Sequence, residues 1–498
     1  MDSSTPEFCI SLLPHSFSGL MKSLSSCTEG DLIEIRLDYL GEVDFREIRQ
    51  ATDKRIIITC RTPAEGGFYN GSPASMISSF QAAINNGMDF IDVSYSLAGQ
   101  LLSHLSLTET TSVVLSHHTG ERNPAVLQKI LAEMLTRPAD VYKLVFTAVE
   151  ENDSATALGL IDFAQKMKVN FIIHAMGMAG KPSRIIGAIR GNCWTYVALD
   201  EHSTTAPGQL TIDEALHRYY LGEKSSRTEI VGLLGYPLSQ SKGWLLYNSL
   251  FHLHKHPVEV SNDPLDALYL NFEFREAQKF WNNWRKRLTG LSVTIPHKET
   301  VLKFASLQSE EVVRSGVCNT LVKRDGIWQA FNTDLPAMME LLLPYKKKLE
   351  TGVLVVGSGA TAGSAIAALQ MMGVEKIFVT ARNLTRVSLL EQRFSGKFET
   401  DKKIDGGDIG GIIQTTPVGM YPDSEALAPG SEFFKNGLIV FDVVYNPPET
   451  RFLKLARERG CITISGEEMF LRQAARQFEL FSGQPVSFAE IKKVWREI

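Results

Sequence analysis

A lysine set inside an apolar run is the first residue of this chain with chemistry to offer. Lys143 lies in Val141-Tyr142-Lys143-Leu144-Val145-Phe146. In extended chain Tyr142, Leu144 and Phe146 share one face, and Lys143 shares the other with Val141 and Val145. A strand lysine usually snorkels to water. One flanked this way is hard to solvate, and an amine held dry suits imine formation with a ketone. A second alternation, Ile33-Glu34-Ile35-Arg36-Leu37-Asp38, sets three charges opposite three aliphatics. Arg61 with Glu65, and Ser116 with His118, add polar groups near the ends of two further runs. Buried charges are costly unless paired or engaged with a ligand, so the set is either an internal ion network or a site. His118 shares a face with Ser116, opposite His117, and an imidazole titrates close enough to neutrality to move protons.

A second group of candidates stands further along. Lys298 follows Thr294-Ile295-Pro296-His297, and Asp334 follows Asn332-Thr333 ahead of Leu335-Pro336. Each leaves a strand-like run toward a helix start. Asp334 therefore reads equally as a helix cap, and Lys298 as a solvated first-turn lysine. The apolar run Val353-Leu354-Val355-Val356 opens into Gly357-Ser358-Gly359-Ala360 and then a helical composition. Gly357 permits a tight turn, and Gly359 lets the backbone approach a pyrophosphate at a helix N-terminus. The next run ends in Thr380-Ala381-Arg382-Asn383-Leu384-Thr385-Arg386, with no acid to take a ribose diol. Arg382 and Arg386 suit a 2′-phosphate instead, which favours NADP. Their plainer reading is a solvated helix-start face, more so for Arg386.

Positioning these groups takes two kinds of architecture. Apolar runs at 8–13, 31–38, 55–61, 90–95, 112–118, 141–148, 170–177 and 195–199 alternate with helical compositions such as 75–85 and 125–135. Strands alternating with helices imply right-handed βαβ units and a parallel sheet. Eight units in about 220 residues suit a closed (β/α)8 barrel. An open doubly wound sheet is the competitor, but no glycine-rich loop follows the first run. The polar stretch 222–228 reads as a linker. Beyond it, runs at 229–235 and 291–295 and a hairpin from 319–323 to 327–331, turning through Arg324-Asp325-Gly326, precede a second βα series. That series has runs at 353–357, 377–382, 411–416 and 438–445, and helical patterns at 467–481 and 487–498 close the chain. Two α/β lobes with a cleft between them are the simplest arrangement.

Composition narrows the function classes. In 498 residues, 51 Lys and Arg against 56 Asp and Glu leave a net charge of −5, too balanced for a nucleic-acid or anionic-membrane binder working by bulk charge. The six cysteines, at 9, 27, 60, 193, 318 and 461, form no C-x-x-C pair and no zinc spacing, which predicts reduced thiols and no metal. Met1-Asp2-Ser3-Ser4 lacks the look of a signal or transit peptide, so a cytoplasmic location is expected. The uncharged stretch 353–374 holds four glycines and reads as strand, turn and helix rather than a membrane span. Oligomeric state is left open.

Two families share these motifs. Ile33-Glu34-Ile35-Arg36-Leu37-Asp38, Cys60-Arg61-Thr62-Pro63-Ala64-Glu65-Gly66-Gly67, Ser116-His117-His118, Ala139-Asp140-Val141-Tyr142-Lys143, Ser183-Arg184 and Ala206-Pro207-Gly208-Gln209 run in order across the first half. They resemble type I 3-dehydroquinate dehydratase. The resemblance implies that Lys143 forms an imine with the substrate ketone, that His118 moves protons and that Glu65 orients His118. Glu34, Arg36, Arg61, Arg184 and Gln209 would hold the carboxylate and hydroxyls. Thr205 stands where that family commonly has serine and keeps the hydroxyl.

The second half resembles shikimate dehydrogenase over about residues 229–498. The motifs are Gly235-Tyr236-Pro237-Leu238-Ser239-Gln240-Ser241-Lys242, Ser292-Val293-Thr294-Ile295-Pro296-His297-Lys298, Gly316-Val317-Cys318-Asn319-Thr320, Asn332-Thr333-Asp334, Asp442-Val443-Val444-Tyr445-Asn446-Pro447 and Gly466-Glu467-Glu468-Met469-Phe470-Leu471-Arg472-Gln473. It implies Lys298 and Asp334 as an acid–base pair, and Ser241, Thr294, Asn319, Tyr445 and Gln473 as substrate contacts. Gly243-Trp244 departs from the family's second serine and following proline. Ala360, Ala381 and Gln414 depart within the nucleotide loops.

The expected fold is therefore α/β: an N-terminal (β/α)8 barrel followed by a two-lobed dehydrogenase with a Rossmann-type lobe. The barrel is expected over 1–222, a linker over 223–228, a substrate lobe over 229–345 plus 446–498 and the NADP lobe over 346–445. Together the resemblances imply dehydration of 3-dehydroquinate to 3-dehydroshikimate, then reduction to shikimate with NADPH. Gly243 raises the alternative of a broader quinate/shikimate dehydrogenase.

Overall fold

In the computed structural model, residues 5–41, 43–255, 265–394, 399–400 and 409–498 are described. Met1–Ser4, read above for a targeting signal, lie outside them. The chain forms two compact units. One takes in Met1–Glu229, Lys255–Glu273 and Asn282–Lys286, the other Ile230–His254, Phe274–Trp281 and Arg287–Ile498.

Eight parallel strands carry the first unit. They are β1 (Phe8–Leu12), β2 (Leu32–Arg36), β3 (Arg55–Thr59), β4 (Phe90–Ser94), β5 (Ser112–Thr119), β6 (Val141–Thr147), β7 (Phe171–Met176) and β8 (Thr195–Ala198). They run β7-β6-β5-β4-β3-β2-β1-β8 around a curled sheet, and each neighbouring pair is parallel. Between β7 and β8 a side chain replaces a ladder. Asn192 bridges Phe171, and its amide accepts from the N–H of Ile173 at 2.9 Å and donates to the Ile173 carbonyl at 3.1 Å. Backbone groups that would otherwise be buried unpaired are thereby satisfied.

Side-chain alternation layers the interior. Cys9, Leu32, Ile57, Val114, Val141 and Ile172 form an apolar floor with Trp194 and Tyr196. Two residues further along the same strands stand Ser11, Glu34, Thr59, Ser116, Lys143 and His174, all buried. With a period of two, floor and polar layer face the same way, and the polar layer lies toward the carboxyl ends of the strands, where barrel sites form. Outer helices close the other face. Pro73–Asn85, capped by Ser72, buries Met76, Phe80, Ala83 and Ile84.

The segment 223–228 is not the free linker its composition implied. Lys224 is buried 3.6 Å from Asp266, and Arg190 donates to the carbonyls of Ser225, Ser226 and Thr228 at 3.4, 2.9 and 2.7 Å. Its polar groups are consumed by partners of the first unit rather than by water.

The second unit holds two sheets. In one, Glu229–Gly235, Gly290–Val293, Thr320–Arg324, Ile327–Phe331 and Leu307–Gln308 lie side by side in that order. The hairpin within it turns at Asp325 and Gly326, both at positive φ, as a two-residue turn of the twist-matched kind requires. In the other, Glu399–Thr400, Ile377–Thr380, Val353–Val356, Gly411–Gln414, Ile439–Asp442 and Ile462–Ile464 are all parallel. Numbered along the chain this is the order 3-2-1-4-5-6 of a dinucleotide-binding sheet. The expected lobe boundary at 446 needs correction. Ile462–Ile464 still belongs to the nucleotide sheet, and the helix Gly466–Ser482 begins only after it. A three-residue strand is too short to register as an apolar run.

Among the described residues no helix is long and apolar enough to cross a membrane, and no group of His, Cys, Asp and Glu could hold a metal ion.

Candidate active sites

The polar layer of the barrel encloses about 160 Å³, lined by residues that include Glu34, Arg36, Arg61, Glu65, His118, Lys143, Arg184, Thr205 and Gln209. Every sequence-derived candidate of the first half reaches this one cavity. Lys143 is 4% exposed. Its ammonium donates to Asp92 at 3.0 Å, lies 3.6 Å from Glu34 and sits 3.9 Å from the ring centre of Tyr196. The amine is dry, as its apolar neighbours imply, but it is not unpaired. Asp92 also takes Arg61 at 2.9 Å and the Ser116 hydroxyl at 2.5 Å. Glu34 accepts from Ser11 and, at 2.9 Å, from Thr59.

The electrostatics separate the groups. Burial alone would raise the Asp92 and Glu34 carboxyls. The cations Arg61 and Lys143 around Asp92, and Lys143 and Arg36 around Glu34, outweigh it and hold both low. Glu65 has no such compensation. Arg61 is 3.8 Å away, neither carboxylate oxygen has a hydrogen bond, and burial raises its pKa. His118 is pushed well below the usual imidazole range by burial and then by Arg61 and Lys143, so it is neutral, with Nε2 unpartnered. The three arginines differ. Arg36 is tied bidentately to Asp38 at 2.7 and 2.8 Å, and Arg61 to Asp92. Arg184 has no acidic partner: burial lowers it to about 10, and its Nε is unsatisfied. A buried cation without a counter-ion is a seat for an anion. Thr205 donates twice to the Gln209 carbonyl, at 2.6 Å from its N–H and 2.8 Å from its hydroxyl. The loop carrying both turns at Gly208, where φ is +76° and a Cβ would meet the Gly177 carbonyl at 2.3 Å.

In the second unit Lys298 Nζ lies 2.6 Å from Asp334. Asp334 is the first residue of the helix Asp334–Leu342, whose cap is Thr333, so the carboxylate is free of capping duty. Lys298 is mostly buried rather than a solvated first-turn residue. The substrate candidates surround this pair. Asn319 donates to Thr333 at 2.9 Å and to Gln473 at 3.4 Å, and Thr333 donates to Gln473 at 3.2 Å. The Cys318 N–H donates to the Lys298 carbonyl at 2.8 Å, and the Thr294 N–H to Leu234 at 2.9 Å. Tyr445 stacks on Phe470, one turn before Gln473 on the same helix, and burial raises its phenol. A Cβ on Gly243 would lie 3.8 Å from the Ser241 hydroxyl, so no neighbour forbids a side chain there.

The nucleotide loop fits NADP. Gly357 is at φ +123°, and a Cβ there would strike Thr415 Oγ1 at 2.5 Å. Gly359 caps the helix Ala360–Met371 next to Ser358, and its Cβ position is 4.0 Å from an Arg386 guanidinium nitrogen. Arg382 and Arg386 are exposed at the end of Ile377–Thr380, where no acid stands. A bare pyrophosphate cradle with cations beside it is the donor set a phosphorylated dinucleotide needs. Gln414, one of the departures, is wholly buried. It donates to Thr416, Val418 and Asp442 at 3.0, 3.1 and 3.3 Å. It therefore shapes the loop from inside.

Comparison with known proteins gives these sites their chemistry. The family described as type I 3-dehydroquinase matches residues 8–226. The shikimate dehydrogenase substrate binding domain matches 233–321, and the shikimate 5′-dehydrogenase C-terminal domain 466–494. A shikimate dehydrogenase (NADP(+)) of Caldanaerobacter subterraneus is 31% identical over 274 residues, covering 52% of this chain and 93% of its own. The chain belongs to the type I 3-dehydroquinase and shikimate dehydrogenase families. Two relatives carry both names or both parts. The bifunctional 3-dehydroquinate dehydratase/shikimate dehydrogenase, chloroplastic, of Arabidopsis thaliana is 28% identical over 96% of this chain and 82% of its own. The shikimate biosynthesis protein AroDE of Chlamydia pneumoniae is 28% identical over 96% and 94%. The chain is thus a bifunctional enzyme, a dehydroquinase followed by an NADP-dependent shikimate dehydrogenase.

Sequence reading missed several residues of the dehydroquinase cavity. Asp92 is the Lys143 partner, and its signal was a lone acid in the strand Phe90-Ile91-Asp92-Val93-Ser94. His174 and Ser11 line the cavity from β7 and β1. Each is a single polar residue in an apolar strand, which alternation could have flagged. In the dehydrogenase half the missed residue is Gln477. It accepts from Tyr247 at 2.6 Å and Ser292 at 2.8 Å, and donates to Asn319 and Thr320.

Proposed function

We propose that Lys143 is the nucleophile that takes 3-dehydroquinate through an imine. The observation that carries this is an amine buried between two anionic carboxylates, in a cavity whose one uncompensated cation is Arg184. Attack of the amine on the ketone carbon expels the oxygen as water and leaves an iminium. Neutral His118 removes the proton on the adjacent carbon, the electron pair passing into the iminium. The resulting enamine pushes out the hydroxyl one carbon further on, which leaves as water with the proton from His118. Hydrolysis of the conjugated iminium then frees 3-dehydroshikimate. Glu65 orients His118. Arg184 grips the substrate carboxylate, with Thr205 and Gln209 beside it. Glu34, Arg36 and Arg61 hold the amine and the hydroxyl-binding edge rather than the carboxylate, because acids already occupy the two guanidiniums. Borohydride trapping with 3-dehydroquinate followed by peptide mapping tests the assignment. An unmodified Lys143 with normal turnover would reject it.

Bound NADPH supplies a hydride to the carbonyl carbon. Lys298 and Asp334 serve the proton at the carbonyl oxygen, their 2.6 Å contact letting one recharge the other. Ser241, Thr294, Asn319, Tyr445 and Gln473 bind 3-dehydroshikimate, and Gly357, Ser358, Gly359, Ala360, Arg382 and Arg386 hold the nucleotide. The two activities divide at 223–228. A second reading, oxidation of quinate as well as shikimate, is favoured by the open side of Gly243. Comparing kcat/KM for the two acids decides it, and a quinate value far below the shikimate value rejects it. A cytoplasmic setting fits six unpaired thiols, five of them buried.

A further inference from the structure

The dehydroquinase cavity holds a second imidazole with no role in the mechanism above. His174 is buried on β7, on the same face as Ile172 of the apolar floor and Met176 of the cavity lining. Strand register places it exactingly. His118 of β5 is the ladder partner of Val145, and Val145 is the partner of His174. The two histidines thus stand at one level on the strands either side of β6, two residues toward the carboxyl end from Lys143. Whatever is bonded to the Lys143 nitrogen has an imidazole on each flank.

One imidazole does not cover the whole reaction. In the elimination, His118 takes a proton from carbon and returns it to the leaving hydroxyl, ending neutral. Imine formation is a separate exchange. An ammonium and a ketone become an iminium and water, so nitrogen loses two protons and oxygen gains two. The carboxylates against the amine, Asp92 and Glu34, are held low by their cations and are poor acceptors. Burial, with Arg184 and Lys143 nearby, likewise keeps His174 neutral and able to accept.

Resting on the Lys143 assignment, we propose that His174 is the proton relay for imine formation and hydrolysis, carrying protons between the Lys143 nitrogen and the departing or entering oxygen, while His118 serves the carbon. His174 takes a proton from nitrogen as the C–N bond forms and gives it to the carbinol oxygen as the C–O bond breaks. It ends as it began, and hydrolysis runs the same transfers backwards.

The test uses the full chain with His174→Gln and, as an apolar replacement of similar length, His174→Met. Rapid quench with borohydride gives the rate at which 3-dehydroquinate becomes trapped on Lys143. Substrate deuterated at the carbon that loses its proton gives the isotope effect on turnover. Either variant should form the adduct on the order of a hundred-fold more slowly, reach the wild-type final level and show an isotope effect collapsed toward unity. His118→Gln should do the reverse, trapping at the wild-type rate and accumulating the adduct. Trapping at the wild-type rate with an unchanged isotope effect in a folded His174 variant overturns the relay, as does a rise in KM with kcat unchanged. Absence of any adduct in the wild type instead overturns the Lys143 assignment beneath it.

Discussion

The two active sites of this chain solve the carbonyl problem in opposite ways. In the barrel, charges are packed inside the sheet, and each is fixed by another: Lys143 by Asp92 and Glu34, Asp92 by Arg61 and Ser116. In the dehydrogenase half, one ion pair, Lys298 with Asp334, stands at strand and helix ends among uncharged hydrogen-bonding groups. The difference follows from who supplies the electrons' destination. The first site makes its own electron sink from a lysine, so the protein must hold an amine dry and its protonation under control. The second borrows its reductant from a nucleotide, so its residues need only place the carbonyl and manage one proton.

The comparison breaks most visibly at Lys143. Lys143→Ala should abolish dehydration and leave reduction of 3-dehydroshikimate at wild-type rate, measured by separate assays on the same preparation. Residual dehydration near wild type removes the covalent half of the contrast. Next, Lys298→Ala or Asp334→Asn should lower the kcat of reduction by about 10²- to 10⁴-fold while NADPH affinity stays put. A pure loss of nucleotide binding would assign the pair a scaffolding role. Arg184→Gln removes the one cation in the barrel without a counter-ion and should raise the KM for 3-dehydroquinate on the order of ten- to a hundred-fold, as loss of a charge-assisted hydrogen bond does. An unchanged KM would move carboxylate binding to Arg36 or Arg61.

Acidity gives a fourth, smaller effect confined to the first site. His118 and His174 are neutral in the fold because burial depresses both. An unfolded histidine takes its proton near pH 6.5. As pH falls below that, the unfolded chain binds protons that the folded one refuses, so stability of the barrel unit declines toward acid. Substituting both residues by glutamine should flatten that decline in urea titrations between pH 7 and pH 5. An unaltered slope would mean the two imidazoles are not kept neutral by the fold.

Much of this was legible in one dimension. Alternation alone put Glu34, Arg36 and Lys143 on the inner faces of their strands, and the glycine loop at 357–359 with arginines after the next strand pointed to NADP. What misled was composition without partners. The stretch 223–228 reads as solvent-facing until Arg190 is seen to take three of its carbonyls, and Ile462–Ile464 is too brief to signal a sixth parallel strand. Asp334 reads as a cap until Thr333 is found in that place.

The amino-acid order by itself decided which side chains face inward and which loops expose backbone, because the periods of strand and turn are local properties. Only the closed sheet decided their partners. Asp92 meets Lys143 across 51 positions of sequence, Arg184 is left alone because Arg61 and Arg36 are already taken, and two histidines come to flank one lysine. Those outcomes depend on strand register and curvature, which arise from packing of distant segments and leave no trace in the spacing of residues.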